Sequence, residues 1–151
     1  MATGLTAEDA RQSLSAHAAE RGSELRQKYG PRLGWTELVR LLNDRAFVRY
    51  PCELAFDAQP LLPGELAHPV PQGQRPEDGF RICVHPSFFG QLDRVPALVL
   101  YQLVLVNYGA FACAEDAEAF GAAALGLSKE DYYAGLCQLA ESLPTPPERG
   151  L

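Results

Sequence analysis

The chain opens with apolar positions at helical spacing. Ala7, Ala10, Leu14, Ala18, Leu25 and Tyr29 recur at three- or four-residue steps or their multiples, behind a Thr6-to-Asp9 stretch (TAED) that has the form of a capping box with Asp in place of Glu. The pattern predicts an amphipathic helix, stopped by Gly30-Pro31. GWTELVRLLND predicts a short second helix with Leu38, Leu41 and Leu42 turned inward. From Val48 the period changes to two: Val48, Tyr50, Cys52, Leu54 and Phe56 face one way, and Arg49, Pro51, Glu53, Ala55 and Asp57 the other. This predicts a strand, and Pro51, which has no N–H, puts it at a sheet edge or a bulge.

Residues 58–79 are rich in Pro and Gly and read as loop with one short strand around Leu66 to Val70; FRICVHP then predicts a strand ended by Pro86. Asp93 offers an N-cap for a helix whose first turn accepts Pro96. The segment VLYQLVLV that follows suits a buried strand by propensity, but the capping signal and the length of the apolar stretch favour a helix. Two more helices are expected, Cys113 to Leu125 with acids in its first turn and Gly126 at its end, and Lys129 to Ser142 capped by Ser128. No internal repeat or linker interrupts the order. The prediction is one α+β domain over residues 1–151, with a core at about 6–143 and a frayed tail at 144–151. N-terminal helices, a small mostly antiparallel or mixed sheet, a buried central helix and C-terminal helices make it up.

Composition narrows the function classes. With 47% hydrophobic residues in 151, the chain can bury a substantial core. No apolar run reaches the ~18 residues of a membrane span and the N-terminus lacks a signal-peptide pattern, so a cytoplasmic protein without membrane contact is expected. The net charge of −6 is uneven, with eight Lys/Arg against six Asp/Glu in residues 1–50 and five against thirteen in the rest. The N-terminal bases alternate with acids as on a solvated helix face, which argues against a nucleic-acid partner. Cys52, Cys83, Cys113 and Cys137 form no CxxC pair and read as reduced, mostly buried thiols.

Candidate chemistry is sparse. GxSxG, GxxxxGK[ST] and GxGxxG are all absent. Cys83 and His85 stand two apart on a predicted strand and share a face, but they need His68, Cys52 or Glu118 to complete a metal site. A structural His beside a buried Cys is the favoured explanation. Glu115, Asp116 and Glu118 cluster at a helix start, where acids complement the macrodipole. His17, on the first helix, is expected to be solvated.

The order of helix, edge strand, Pro-rich loop, short strand ending in HP, buried helix and acid-bearing helix resembles the core of the zincin metalloprotease superfamily, over roughly residues 45–127. In that superfamily the central helix carries HExxH, often within a longer HELxHVxYG. Here the matching register is YQLVLVNYG, from Tyr101 to Gly109. The resemblance places Tyr101 and Leu105 where the two zinc-binding histidines would stand, Gln102 where the catalytic glutamate would stand, and Glu118 or Glu115 near a third, acidic ligand. It therefore implies a degenerate site without a cofactor. Leu has no lone pair for a metal, neutral Tyr is an uncommon ligand, and Gln accepts no proton at neutral pH. A Gln in an apolar helix has a plainer explanation too, as a half-exposed residue or one bonded to a loop carbonyl. If the site is a remnant, Gln102 should be buried and bonded to Tyr101, Tyr108 or Glu118.

Three functional readings follow. The first is a non-catalytic zincin-like domain with an interaction or regulatory role, holding a protein or peptide strand by edge pairing beside FRICVHP. The second is an enzyme with a rebuilt site around Cys83, His85 and Glu118. The third is a small structural domain that forms a homo-oligomer through apolar helices.

Overall fold

The computed structural model of the chain describes residues 6–144, so most of the tail read as frayed lies outside the described residues. Helix α1 spans Ala7–Tyr29 and begins with the capping box: Thr6 Oγ1 accepts the Asp9 N–H at 3.0 Å, and the Asp9 carboxylate accepts the Thr6 N–H at 3.2 Å. The buried stripe of α1 is shorter than its apolar pattern. Ala18, Leu25 and Tyr29 are buried whereas Ala7 and Ala10 are exposed. The helix that covers the stripe, α4 (Ala114–Leu125), is about 18 Å long against about 35 Å for α1, so the first turns of α1 go uncovered.

The two helices pack to backbone contact. A Cβ added at Gly22 would overlap the Phe120 carbonyl and lie 2.9 Å from Ala123 Cβ, so only glycine permits this approach. Helix α2 (Trp35–Leu42) buries Leu38, Leu41 and Leu42 as its pattern predicts. The loop after it is anchored by Asp44, which accepts from Lys28 Nζ (2.6 Å), Tyr29 Oη (2.7 Å) and the Ala46 N–H (3.0 Å). The Lys28 hydrogen bond, then that of Tyr29, holds the Asp44 carboxyl down at about 2.

The sheet is mixed and has three strands in the order β1 (Cys52–Phe56), β3 (Phe80–Val84), β2 (Ala67–Pro71). β3 runs parallel to β1 and antiparallel to β2. The first strand is an edge strand, but it starts at Cys52 rather than Val48. Upstream, the backbone is bonded to a helix side chain instead of a ladder: Asn107 Oδ1 accepts the Arg49 N–H at 2.8 Å and its amide donates to the Phe47 carbonyl at 2.7 Å.

The apolar segment after Arg94 is helix α3 (Val95–Tyr108), not a strand. Its N-cap is Arg94, because Leu92–Arg94 already form a 3₁₀ turn that takes up Asp93. Gly109, at φ 59°, ends it in a conformation that favours glycine. Nine of its fourteen residues are buried, against β2, β3 and α4. The helical stretch Leu92–Phe111 reaches 20 residues and, although Asp93 and Arg94 interrupt its apolar run, is by length and composition the one described helix that could cross a membrane. Half of it is buried inside the fold, as a core helix would be.

α4 ends at Gly126 (φ 71°), and α5 (Lys129–Glu141) starts where Ser128 Oγ accepts the Asp131 N–H at 3.0 Å. The α4–α5 corner is filled by Tyr132, whose ring lies against Gly121 and whose hydroxyl donates to the Ala97 carbonyl at 2.6 Å. All four cysteines are free thiols, but only Cys83 is fully buried. Cys52, Cys113 and Cys137 are half-buried, so the expectation of mostly buried thiols is too strong.

Candidate functional site

Three helices and one strand line an open-mouthed cavity of about 360 Å³. α3 contributes Leu98, Tyr101, Gln102 and Leu105, which are spaced i, i+3, i+4, i+7 and therefore form one face. α5 contributes Tyr133, Leu136, Cys137 and Ala140 at the same spacing. Ala114 and Glu118 come from the first two turns of α4, and Gly64 to His68 close the cavity from the start of β2. Tyr101, Gln102, Leu105 and Glu118, which the sequence marks as one group, thus line a single space.

The polar groups in this space are few and largely uncompensated. Gln102 is 8% exposed, and its side-chain amide makes no hydrogen bond with the described residues. Burial therefore agrees with the expectation for a remnant site, whereas the expected bond to Tyr101, Tyr108 or Glu118 is not made. Glu118 is half-buried and takes part in no hydrogen bond or ion pair with the described residues. No Lys or Arg among the described residues lines the cavity. Burial, and after it the Glu118 charge, raises the Tyr101 hydroxyl above its ordinary value. Tyr101 accordingly stays protonated at neutral pH. Glu65 is differently employed, because its carboxylate accepts the Leu62 N–H at 3.1 Å and lies 3.5 Å from His68 Nδ1.

The three acids at the start of α4 serve separate ends. Glu115 is exposed, Glu118 faces the cavity, and Asp116 is 1% exposed with Oδ2 accepting the Cys113 N–H at 2.9 Å as a helix cap. Asp116 Oδ1 is the one buried side-chain oxygen without a partner among the described residues.

Cys83, His85 and Glu118 do not converge. Cys83 alternates with Ile82 and Val84 and so projects from the opposite face of β3, where burial raises its thiol and makes it a poor nucleophile. His85 lies beyond the strand, its Nδ1 accepting the Ser87 N–H at 3.1 Å, and it lines a different, smaller cavity with Leu61 and Leu62. Cys52 is on the far edge strand, and His68 is exposed beside Glu65. No group of three or more His, Cys, Asp or Glu side chains among the described residues is placed to hold a metal ion. His17 is exposed as predicted, edge-on to Tyr108 at 5.9 Å.

Strand pairing beside FRICVHP is also excluded by topology. That segment is the central strand, paired on both sides. The free edges are those of β1 and β2, and they differ. Along β2, Leu66 and Gln72 bond towards β3, so alternation turns Ala67, Pro69 and Pro71 outward. Two of those three residues have no N–H, which blunts the edge. Along β1, Pro51 and Asp57 bond to β3, and Cys52, Leu54 and Phe56 turn their backbone groups to the open edge with no described residue pairing to them. Trp35 and Val39 form a shallow apolar groove beside them.

The lining from α5 was not among the sequence-derived candidates. Its spacing is visible in the sequence, but a stripe that lines a gap is indistinguishable from one that fills a core. Comparison with protein-family models, with curated proteins and with solved structures finds no match for the chain.

Proposed function

We propose that the chain is a non-catalytic, zincin-like domain of the cytoplasm that has lost its metal site and acts by binding a protein or peptide partner. The observation that carries this reading is the meeting of Tyr101, Gln102, Leu105 and Glu118 around one cavity beside an edge strand. In a metal-binding zincin the helical i, i+4 pair would be two imidazoles converging on Zn²⁺ and the residue between them a glutamate polarising bound water. With Tyr, Leu and Gln in those places the helix keeps the direction of the side chains and loses both the ligands and the base. Leu105 is half-buried there and serves as an apolar wall of the cavity instead.

A partner strand is best accommodated at β1, where the backbone groups of Cys52, Leu54 and Phe56 are open. The same edge favours the second reading, a homo-oligomer. In an antiparallel pairing of two copies centred on Leu54, the outward residues would face each other as hydrogen-bonded pairs and Glu53 would meet Ala55 of the other copy, so no like charges would be opposed. Metal content and oligomeric state test these readings together. Untagged protein purified without chelator or metal-affinity resin should hold far less than one equivalent of zinc, iron or manganese by elemental mass spectrometry. A stoichiometric metal would overturn the non-catalytic reading, and a concentration-independent monomer mass by light scattering would remove the homo-oligomer.

A further inference from the structure

We infer that the cavity between α3, α4 and α5 is a binding site for a small amphiphilic amine, whose apolar body fills the space and whose ammonium group is held by Glu118 and the Gln102 side-chain carbonyl. The inference stands on the cavity as it is and goes beyond its proposed ancestry.

Size and lining set the body of the ligand. About 360 Å³ is within the range of small-molecule pockets, and the walls are mostly Leu, Ala and Tyr side chains. Charge sets the head group. Glu118 is a half-buried carboxylate without hydrogen bond or ion pair among the described residues, in a cavity with no described Lys or Arg on its walls. A carboxylate-bearing ligand would meet uncompensated like charge there, whereas an ammonium would supply the missing partner. Gln102 is the second, independent indication. It is more than nine-tenths buried, lines the cavity and leaves its amide unbonded. Its amide atoms are not fully enclosed but open to the cavity, where the carbonyl oxygen can accept from an N–H donor. The rings of Tyr101 and Tyr133, on facing helices, add surfaces that favour a cation. Two other polar groups near the rim are already engaged, Glu65 by the Leu62 N–H and His68 by Glu65.

The test uses the full chain and three probes of equal length, hexylammonium, hexanoate and hexanol, followed by calorimetry and by amide chemical shifts. Hexylammonium should bind saturably with shifts centred on α3 and α5, and hexanoate should not. Glu118→Gln should weaken hexylammonium at least about ten-fold, as expected for loss of a desolvated charge partner, while Glu115→Gln, one helical turn away and exposed, should leave it unchanged. Gln102→Leu should weaken all hydrogen-bonding probes without removing the charge preference. Equal binding of hexanol and hexylammonium would reduce the site to an apolar void and overturn the inference. So would an unaltered affinity in a folded Glu118→Gln variant, or no saturable shift with hexylammonium. None of these outcomes depends on metal content, so this inference and the zincin-like reading fail separately.

Discussion

Two helix seams in this molecule are built from similar helices and end differently. Between α1 and α4 the chains approach until Gly22 meets the Phe120 carbonyl, and at that crossing no gap remains, although past it Arg26, Gln27, Ala123 and Gly126 border a surface depression. Between α3 and α5 two stripes of the same spacing face each other across a cavity of about 360 Å³. The difference is side-chain size and polarity. Ala18, Gly22, Ala123 and Ala124 let backbones touch, whereas Tyr101, Gln102, Leu105 and Tyr133 hold the other pair apart and one of them is polar without a partner. Close packing is the rule in protein interiors, so a seam that departs from it where the buried polar group lies is where binding should be sought.

The largest expected effect contrasts two leucines on α3. Leu103 is fully buried and Leu105 lines the cavity. Leu103→Ala should cost about 3 kcal/mol in urea unfolding and Leu105→Ala less than about 1, since the second enlarges a space that already exists. Equal costs would mean that the cavity is packed in solution. Gly22→Leu attacks the closed seam and should cost about 2–3 kcal/mol, because neither the Phe120 carbonyl nor the Ala123 Cβ can move aside cheaply. A Gly22→Leu variant of unchanged stability would show that the α1–α4 approach is not tight.

Tyr132→Phe should cost about 1–2 kcal/mol, read by thermal unfolding, for the bond from the buried Tyr132 hydroxyl to the Ala97 carbonyl. A smaller effect, again on the closed side, depends on pH. Asp44 is held at about 2, below the ordinary carboxylate value of about 4, so its unfolded form takes up protons first as the solution is acidified. Its contribution is complete above about pH 4 and is lost as pH falls towards 2. Asp44→Asn should flatten that part of the stability profile, and an unaltered slope would mean that the Lys28–Asp44–Tyr29 contacts do not form.

Much of this contrast was legible in the sequence and its decisive part was not. Caps and stops marked the helices, because Thr6 with Asp9, Ser128 and Gly126 act through local hydrogen bonds that sequence position alone determines. Strand limits were less legible. Val48 to Pro51 alternate as a strand would, yet Asn107, some sixty residues away, takes the Arg49 N–H and the Phe47 carbonyl. The α3 candidates Tyr101, Gln102 and Leu105 could be read from one polar residue in an apolar run. That α5 would face them across a gap could not, because periodicity gives the direction of a stripe and says nothing about the distance to its neighbour. Cys83 and His85 failed for a related reason. Two residues apart implies a shared face only while the strand continues, and β3 ends at Val84.

The central claim is that the open seam is a metal site without its ligands, and restoring them tests it most directly. In the triple variant Tyr101→His, Gln102→Glu, Leu105→His, zinc titration of the folded protein should show one tight equivalent and a rise in melting temperature, with both lost on adding Glu118→Ala. A triple variant that folds with its stability intact and binds no zinc would contradict the account, because side chains in true zincin register around that cavity would then have nowhere to converge.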